Sequence, residues 1–178
     1  FKNALLKENL SLETLDLYDT RYFLSKEKLL SYDVIILAGG HVPTQNQYFK
    51  EIDLKEKIND FQGIVIGISA GSMNSAATVY VQPEESGESI DPRFKRWLPG
   101  LDLTKQNILP HYQMVKDYYL DGQKLFEEIT YPDSIDHCFL VLEDGSYLLI
   151  INNHETVYGK SYLLHDEKLE VLCLENEN

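Results

Sequence analysis

The sequence predicts an α/β fold with a mostly parallel, doubly wound sheet that closes on a C-terminal antiparallel β meander. Three observations carry this. The continuous apolar runs at residues 33–38 and 63–68 have the composition of strands buried on both faces. Segments of helical pattern follow each run, the alternation expected of βαβ units with right-handed crossovers. From residue 139 to 173 the pattern changes to short β runs separated by turn residues.

Taken in order, residues 2–9 read as a helix and residues 15–18 as a short strand. Ser25 stands before Lys26-Glu27-Lys28-Leu29-Leu30 as the N-cap of a helix. The strand at 33–38 runs into Gly39-Gly40, and residues 44–59, polar with spaced apolar positions, form the next helix. The strand at 63–68 is followed by a helix over 70–77. Residues 82–103, rich in Pro, Glu, Asp and Gly, read as a long excursion, and loops of that length in compact domains are often functional. Ile108-Leu109-Pro110-His111-Tyr112 is a strand ending at His111, and residues 117–129 are helical. The meander turns at Glu143-Asp144-Gly145-Ser146 and at His165-Asp166-Glu167-Lys168, and the chain closes on the acidic-polar stretch Glu175-Asn176-Glu177-Asn178. Residues 1–178 make one domain, long enough to bury a real core. A fold of this class usually opens with a strand, so one or more strands are expected upstream of Phe1.

Composition narrows the function. A net charge of −13 argues against nucleic acid, where phosphate contacts supply most of the affinity, and against an anionic membrane surface. No apolar run approaches the ~20 residues of a membrane span. No charged-then-apolar leader is visible, which makes the cytoplasm the expected location. Cys138 and Cys173 form no CxxC pair and read as reduced. His154 and His165 fit no closed zinc template with them, so neither a metal nor an organic cofactor is expected.

The chemistry concentrates in Gly67-Ile68-Ser69-Ala70-Gly71. A buried strand turning sharply into a helix at G-x-S-x-G is a nucleophile elbow, which lifts one serine into the open. The serine hydroxyl needs a base, and His111, at the end of a strand, falls on the same rim as Ser69. A carboxylate must then fix the imidazole, and Glu84, Glu85, Glu88, Asp91 and Asp102 all lie between Ser69 and His111. Gly40, in the Gly39-Gly40 pair, and Ala70 can supply backbone N–H groups to a developing oxyanion. His41 adjoins that loop and is placed to touch substrate together with Gly39.

Leu37-Ala38-Gly39-Gly40-His41-Val42-Pro43-Thr44-Gln45-Asn46, then Gly67-Ile68-Ser69-Ala70-Gly71-Ser72, then Leu109-Pro110-His111-Tyr112 together resemble the dipeptidase E and cyanophycinase family of serine peptidases. Its fold is similar to the class I glutamine amidotransferases, with flavodoxin-like winding and Ser in place of the elbow Cys. The resemblance implies a triad running Ser, acid, His along the chain, with Ser69 as nucleophile, His111 as base, and Glu84 or Glu85 as acid. It also implies oxyanion donors at Gly40 and Ala70, and a small acidic peptide as substrate. A cation must then meet the substrate aspartate, and Arg93 and Arg96 are the nearest in sequence. The expectation is therefore an exopeptidase or dipeptidase preferring an N-terminal aspartate, working as a monomer or homodimer. A hydrolase or acyl transferase acting on a non-peptide amide is the first alternative, and a non-catalytic binding module of the same fold is the second.

Overall fold

The computed structural model describes residues 2–174, and the acidic stretch at 175–178 lies outside them. In chain order the elements are α1 (Lys2–Lys7), α2 (Lys26–Leu30), β1 (Val34–Leu37), α3 (Val42–Glu51), α4 (Leu54–Ile58), β2 (Ile64–Gly67) and α5 (Ala70–Asn74). Then come β3 (Thr78–Tyr80), β4 (Trp97–Pro99), β5 (Asn107–Leu109), α6 (Tyr112–Val115), β6 (Tyr119–Leu120) and β7 (Gln123–Lys124). A π-helical stretch, Leu125–Thr130, leads into α7 (Tyr131–Asp133). The chain ends in β8 (Cys138–Leu142), β9 (Tyr147–Ile151), β10 (His154–Tyr158), β11 (Ser161–His165) and β12 (Lys168–Cys173).

The chain is mixed α/β, and its parallel pairing occurs in two places rather than in one continuous sheet. β1 and β2 run parallel from Val34↔Ile64 to Leu37↔Gly67. β5 runs parallel to β8, which continues antiparallel to β11 and then β12, in the order β12-β11-β8-β5. β9 and β10 form a separate hairpin, as do β3 with β4 and β6 with β7.

Two larger and two smaller apolar clusters hold these pieces. Leu29, Leu37, Phe49, Leu54 and Ile58 pack α2, α3 and α4 onto one face of the β1–β2 pair, with Ile35 and Val65 against them. The other face leaves Val34, Ile64 and Ile66 exposed. The larger cluster joins Val42, Ala70, Met73, Val79, Leu109, Phe126, Phe139, Val141 and Leu164. It packs the first helical turns of α3 and α5 onto the β5–β8–β11 sheet. Phe126 and Phe139 are fully buried there, and truncating either to Ala should cost about 3–5 kcal/mol.

Local chemistry explains where the elements depart from expectation. Ser25 caps α2 as expected, accepting from the Lys28 N–H at 3.2 Å. The helix expected over 44–59 breaks into α3 and α4 at Asp53, whose φ of 50° is left-handed. Residues 15–18 form no strand: Leu15 and Leu17 are exposed, and no neighbouring strand completes a ladder. The helix expected over 117–129 is replaced by the β6–β7 hairpin and the π-helical stretch. Asp121-Gly122 at its centre takes φ of 53° and 85°, the two positive values a type I′ hairpin turn demands. The helix after the elbow stops at Asn74, and β-branched and aromatic Thr78-Val79-Tyr80 become β3. β3 draws the end of the long excursion back as its partner β4.

Candidate active site

Ser69 sits at the turn from β2 into α5 with φ 53° and ψ −118°, a backbone state that costs a non-glycine residue on the order of 1–3 kcal/mol. Crowding keeps it there. A Cβ on Gly71 would come within 1.9 Å of the Leu37 carbonyl oxygen, and one on Gly67 within 2.8 Å of the Ser72 Cα. The same tightness presses the next loop in, since a Cβ on Gly39 would lie 3.3 Å from that of Ser69. The first turn of α5 then closes by Ser72 and Met73 N–H groups donating to the Ser69 carbonyl. Among the described residues neither Gly40 nor Ala70 donates its N–H to a protein acceptor, which leaves both groups available to an oxyanion.

His111 lies two residues beyond β5, with a left-handed φ of 60° at the start of α6. Its Nε2 is 3.0 Å from Ser69 Oγ, and its Nδ1 is 2.6 Å from Asp144 Oδ1. With the Asp144 carboxylate accepting at Nδ1, the ring carries its proton there, and Nε2 is left to accept from the serine hydroxyl.

The carboxylate that meets His111 is thus that of Asp144, not of Glu84 or Glu85, and it follows His111 in the chain. Strand pairing explains the substitution. β5 and β8 are parallel with Leu109 opposite Val141, so the residues just past each carboxyl end emerge side by side. His111 follows one strand and Asp144 the other. The sequence shows Glu143-Asp144-Gly145-Ser146 as a turn, but only the β5–β8 register reveals what that turn faces.

Glu84 and Glu85 belong to a different assembly. Glu88 Oε2 accepts from the backbone N–H groups of Glu84 at 2.8 Å and Glu85 at 3.0 Å, and Glu88 Oε1 is 3.0 Å from His41 Nε2. Burial pushes the Glu88 carboxyl up, but the Glu85 and Glu84 amides and His41 together hold it below its ordinary value. The Glu84 carboxylate lies at the Val42 amide, at the start of α3. His41, the N-cap residue of α3, also meets Thr44 Oγ1 at 2.8 Å, so both of its ring nitrogens are engaged. His41, Glu85 and Glu88 offer donor atoms within 4.8 Å of one another, the one such grouping of ligand-type side chains among the described residues.

The arginines are also engaged. Arg96 Nη1 meets Asp133 Oδ2 at 2.6 Å in a half-buried pair, and the buried Tyr80 hydroxyl donates to the same oxygen at 2.7 Å. Arg93 pairs with Asp91 at 3.1 Å, with 88% of its side chain exposed.

A buried amide network steadies the loop between β1 and α3. Asn46 donates to Asn74 Oδ1 at 2.9 Å, and Asn74 donates to the Val42 carbonyl and to Gln45 Oε1, each at 3.1 Å. Gln45 in turn donates to the Ala38 carbonyl at 2.6 Å, immediately before Gly39-Gly40. The composition of residues 44–46 gave no sign of this role.

A strained serine at a strand-to-helix turn, bonded to a histidine that is bonded to a carboxylate, defines a serine-hydrolase type of site on a mixed α/β frame. The chain belongs to peptidase family S51, whose family model matches residues 1–158. It is a serine-type peptidase. Among solved structures it is similar to that of a candidate peptidase E protein from Listeria monocytogenes EGD-e. The TM-score is 0.50 at 21% identity, over 96% of this chain and 74% of that one, a likeness of fold. No curated protein matches the chain. Among the described residues no helix is long and apolar enough to cross a membrane.

Proposed function

We propose that this chain is an exopeptidase of short peptides that works through a Ser69–His111–Asp144 triad. The carrying observation is the unbroken hydrogen-bond chain from Ser69 Oγ through both nitrogens of His111 to Asp144 Oδ1. Ser69 Oγ attacks the scissile carbonyl carbon while His111 Nε2 takes the hydroxyl proton, and Asp144 stabilises the resulting imidazolium. The N–H groups of Gly40 and Ala70 receive the oxyanion of the tetrahedral intermediate. His111 then returns the proton to the leaving amine. Water attacks the acyl ester by the same route in reverse, freeing Ser69. We read the parallel pairs β1–β2 and β5–β8 as parts of a doubly wound frame, because Ser69, His111 and Asp144 all follow strand carboxyl ends.

A preference for an N-terminal aspartate belongs to the same proposal, and Arg93 is the better candidate to meet it. Its pair with Asp91 is exposed, and such pairs contribute little, so a substrate carboxylate can replace it at little cost. Arg96 would have to abandon a half-buried pair.

The test is hydrolysis of Asp-X, Glu-X, Ala-X and β-Asp-Arg dipeptides by the wild type, Ser69→Ala and Arg93→Ala. Ser69→Ala should remove all turnover while keeping the folded state, and turnover unchanged by that substitution would end the triad reading. Arg93→Ala should raise KM for Asp-X alone. Equal rates on Asp-X and Ala-X would end the aspartate preference and leave the triad standing.

A further inference from the structure

The acid of the proposed triad is oddly placed for a group that must hold still. Asp144 lies on the turn between β8 and β9, its side chain 61% exposed, and Gly145 beside it has open space around its Cα. Solvent-exposed charged pairs gain little and lose side-chain entropy on ordering. A single bond to His111 is a weak tether for such a residue.

A second bond closes the arrangement. The Asp144 backbone N–H donates to Gln113 Oε1 at 3.1 Å. Gln113 lies in α6, two residues after His111, so the base and the acceptor for the acid's own amide share one short helix. Side chain and backbone of Asp144 are therefore fixed from the same element, one by His111 Nδ1 and the other by Gln113. The neighbouring residue repeats the pattern. Tyr112 packs its ring 4.8 Å from that of Tyr162, whose hydroxyl donates to Glu143 Oε1 at 2.8 Å, and Lys160 pairs with the same oxygen at 2.9 Å.

We infer that Gln113 is a positioning residue that holds the Asp144 turn in register with His111, a role that rests on the triad reading above. Gln113 is exposed, so its contribution to overall stability is small. Its contribution to geometry is not, because a displacement of 1 Å at a catalytic group can cost about 10²-fold in rate.

The experiment compares Gln113→Met, which keeps the length but loses the acceptor, with Gln113→Glu, which keeps an acceptor for the Asp144 amide. Both are made in the wild type and in Asp144→Ala, with kcat and KM measured on a cleaved dipeptide and melting temperature as the folding control. Gln113→Met should lower kcat roughly tenfold with KM little changed, within the range a partial misplacement allows. Gln113→Glu should restore most of that loss, which a packing role for the side chain would not produce. In the Asp144→Ala background Gln113→Met should have no further effect, because there is no acid left to position. Wild-type kcat in Gln113→Met, or an equal loss in the Asp144→Ala background, would overturn the assignment. Wild-type activity in Asp144→Ala alone would instead remove Asp144 from the triad, a separate result.

Discussion

The Ser69 elbow and the Asp144 turn stand at two ends of one hydrogen-bond chain, yet they are held by opposite means. At the elbow backbone presses on backbone: Gly71 faces the Leu37 carbonyl with no room for a methyl group, and Ala70 is 1% exposed. At the acid turn nothing presses. Asp144 is mostly exposed, and its place depends on a bond that its carboxylate accepts from His111 Nδ1 and one that its backbone N–H donates to Gln113 Oε1. The serine of the proposed triad is thus built into the fold, while its carboxylate is added by contacts that can be made or lost without disturbing the core. Substitutions of the glycines that frame the first should be read in folding, and substitutions at the second in turnover.

The largest effect should come from Gly71→Ala. The added methyl must displace the Leu37 carbonyl and so part β1 from α5, a loss of about 4 kcal/mol or more. Soluble yield and the thermal melt measure it. Gly145→Ala is the matching change on the acid turn. It meets no atom within 4 Å and suffers only from its φ of 92°, a penalty of roughly 1–2 kcal/mol. Equal destabilisation by the two substitutions would erase the distinction between the regions.

Next in size, and in activity rather than stability, is Asp144→Asn. An amide cannot enforce the imidazole tautomer or balance the imidazolium, and the loss should be on the order of 10²- to 10⁴-fold in kcat. The lower end is expected, since solvent shares in stabilising an exposed acid's partner. The melting temperature should stay near that of the wild type. A kcat within a factor of about two of the wild type, well short of the range an orienting acid commands, would take Asp144 out of the mechanism.

This contrast also explains what could be read from the sequence. Ser69, Gly40, Ala70 and the β1 and β2 strands are determined by neighbours within a few residues, where glycine spacing and apolar runs leave a local mark. His111 was legible because Pro110-His111 closes a strand, and the rim of strand ends is where such folds place their chemistry. Asp144 left no such mark. Its meeting with His111 requires the parallel register of β5 against β8, a pairing between segments about thirty residues apart. Spacing leaves the five carboxylates between Ser69 and His111 undivided, and the family resemblance points to Glu84 or Glu85. The β6–β7 hairpin was missed for a different reason: Asp121-Gly122 is a local turn signal, but it lies inside a segment whose apolar spacing also suits a helix.

The smallest effect separates a third region, the excursion of residues 82–96, which resembles the acid turn in being held by side chains. Asp121 accepts from the Gly87 N–H at 2.9 Å and from Ser89 Oγ at 2.7 Å, while Glu88 binds His41 and its own loop amides. Bonds from Ser89 and the Gly87 amide hold the Asp121 carboxyl below its ordinary value, and Glu88 is also lowered. A carboxylate with a depressed folded value favours the closed loop above its unfolded pKa, and that preference is lost as pH falls through the folded value. Limited proteolysis of the wild type should therefore nick this segment increasingly as pH falls below the ordinary carboxylate range, before the cores open. Asp121→Asn should show faster nicking already at neutral pH and a shallower change on acidification, because one of the two titrating clamps is gone. Nicking at the wild-type rate with the wild-type pH dependence would mean that Asp121 does not hold the excursion, and would leave Glu88 and His41 as its anchor.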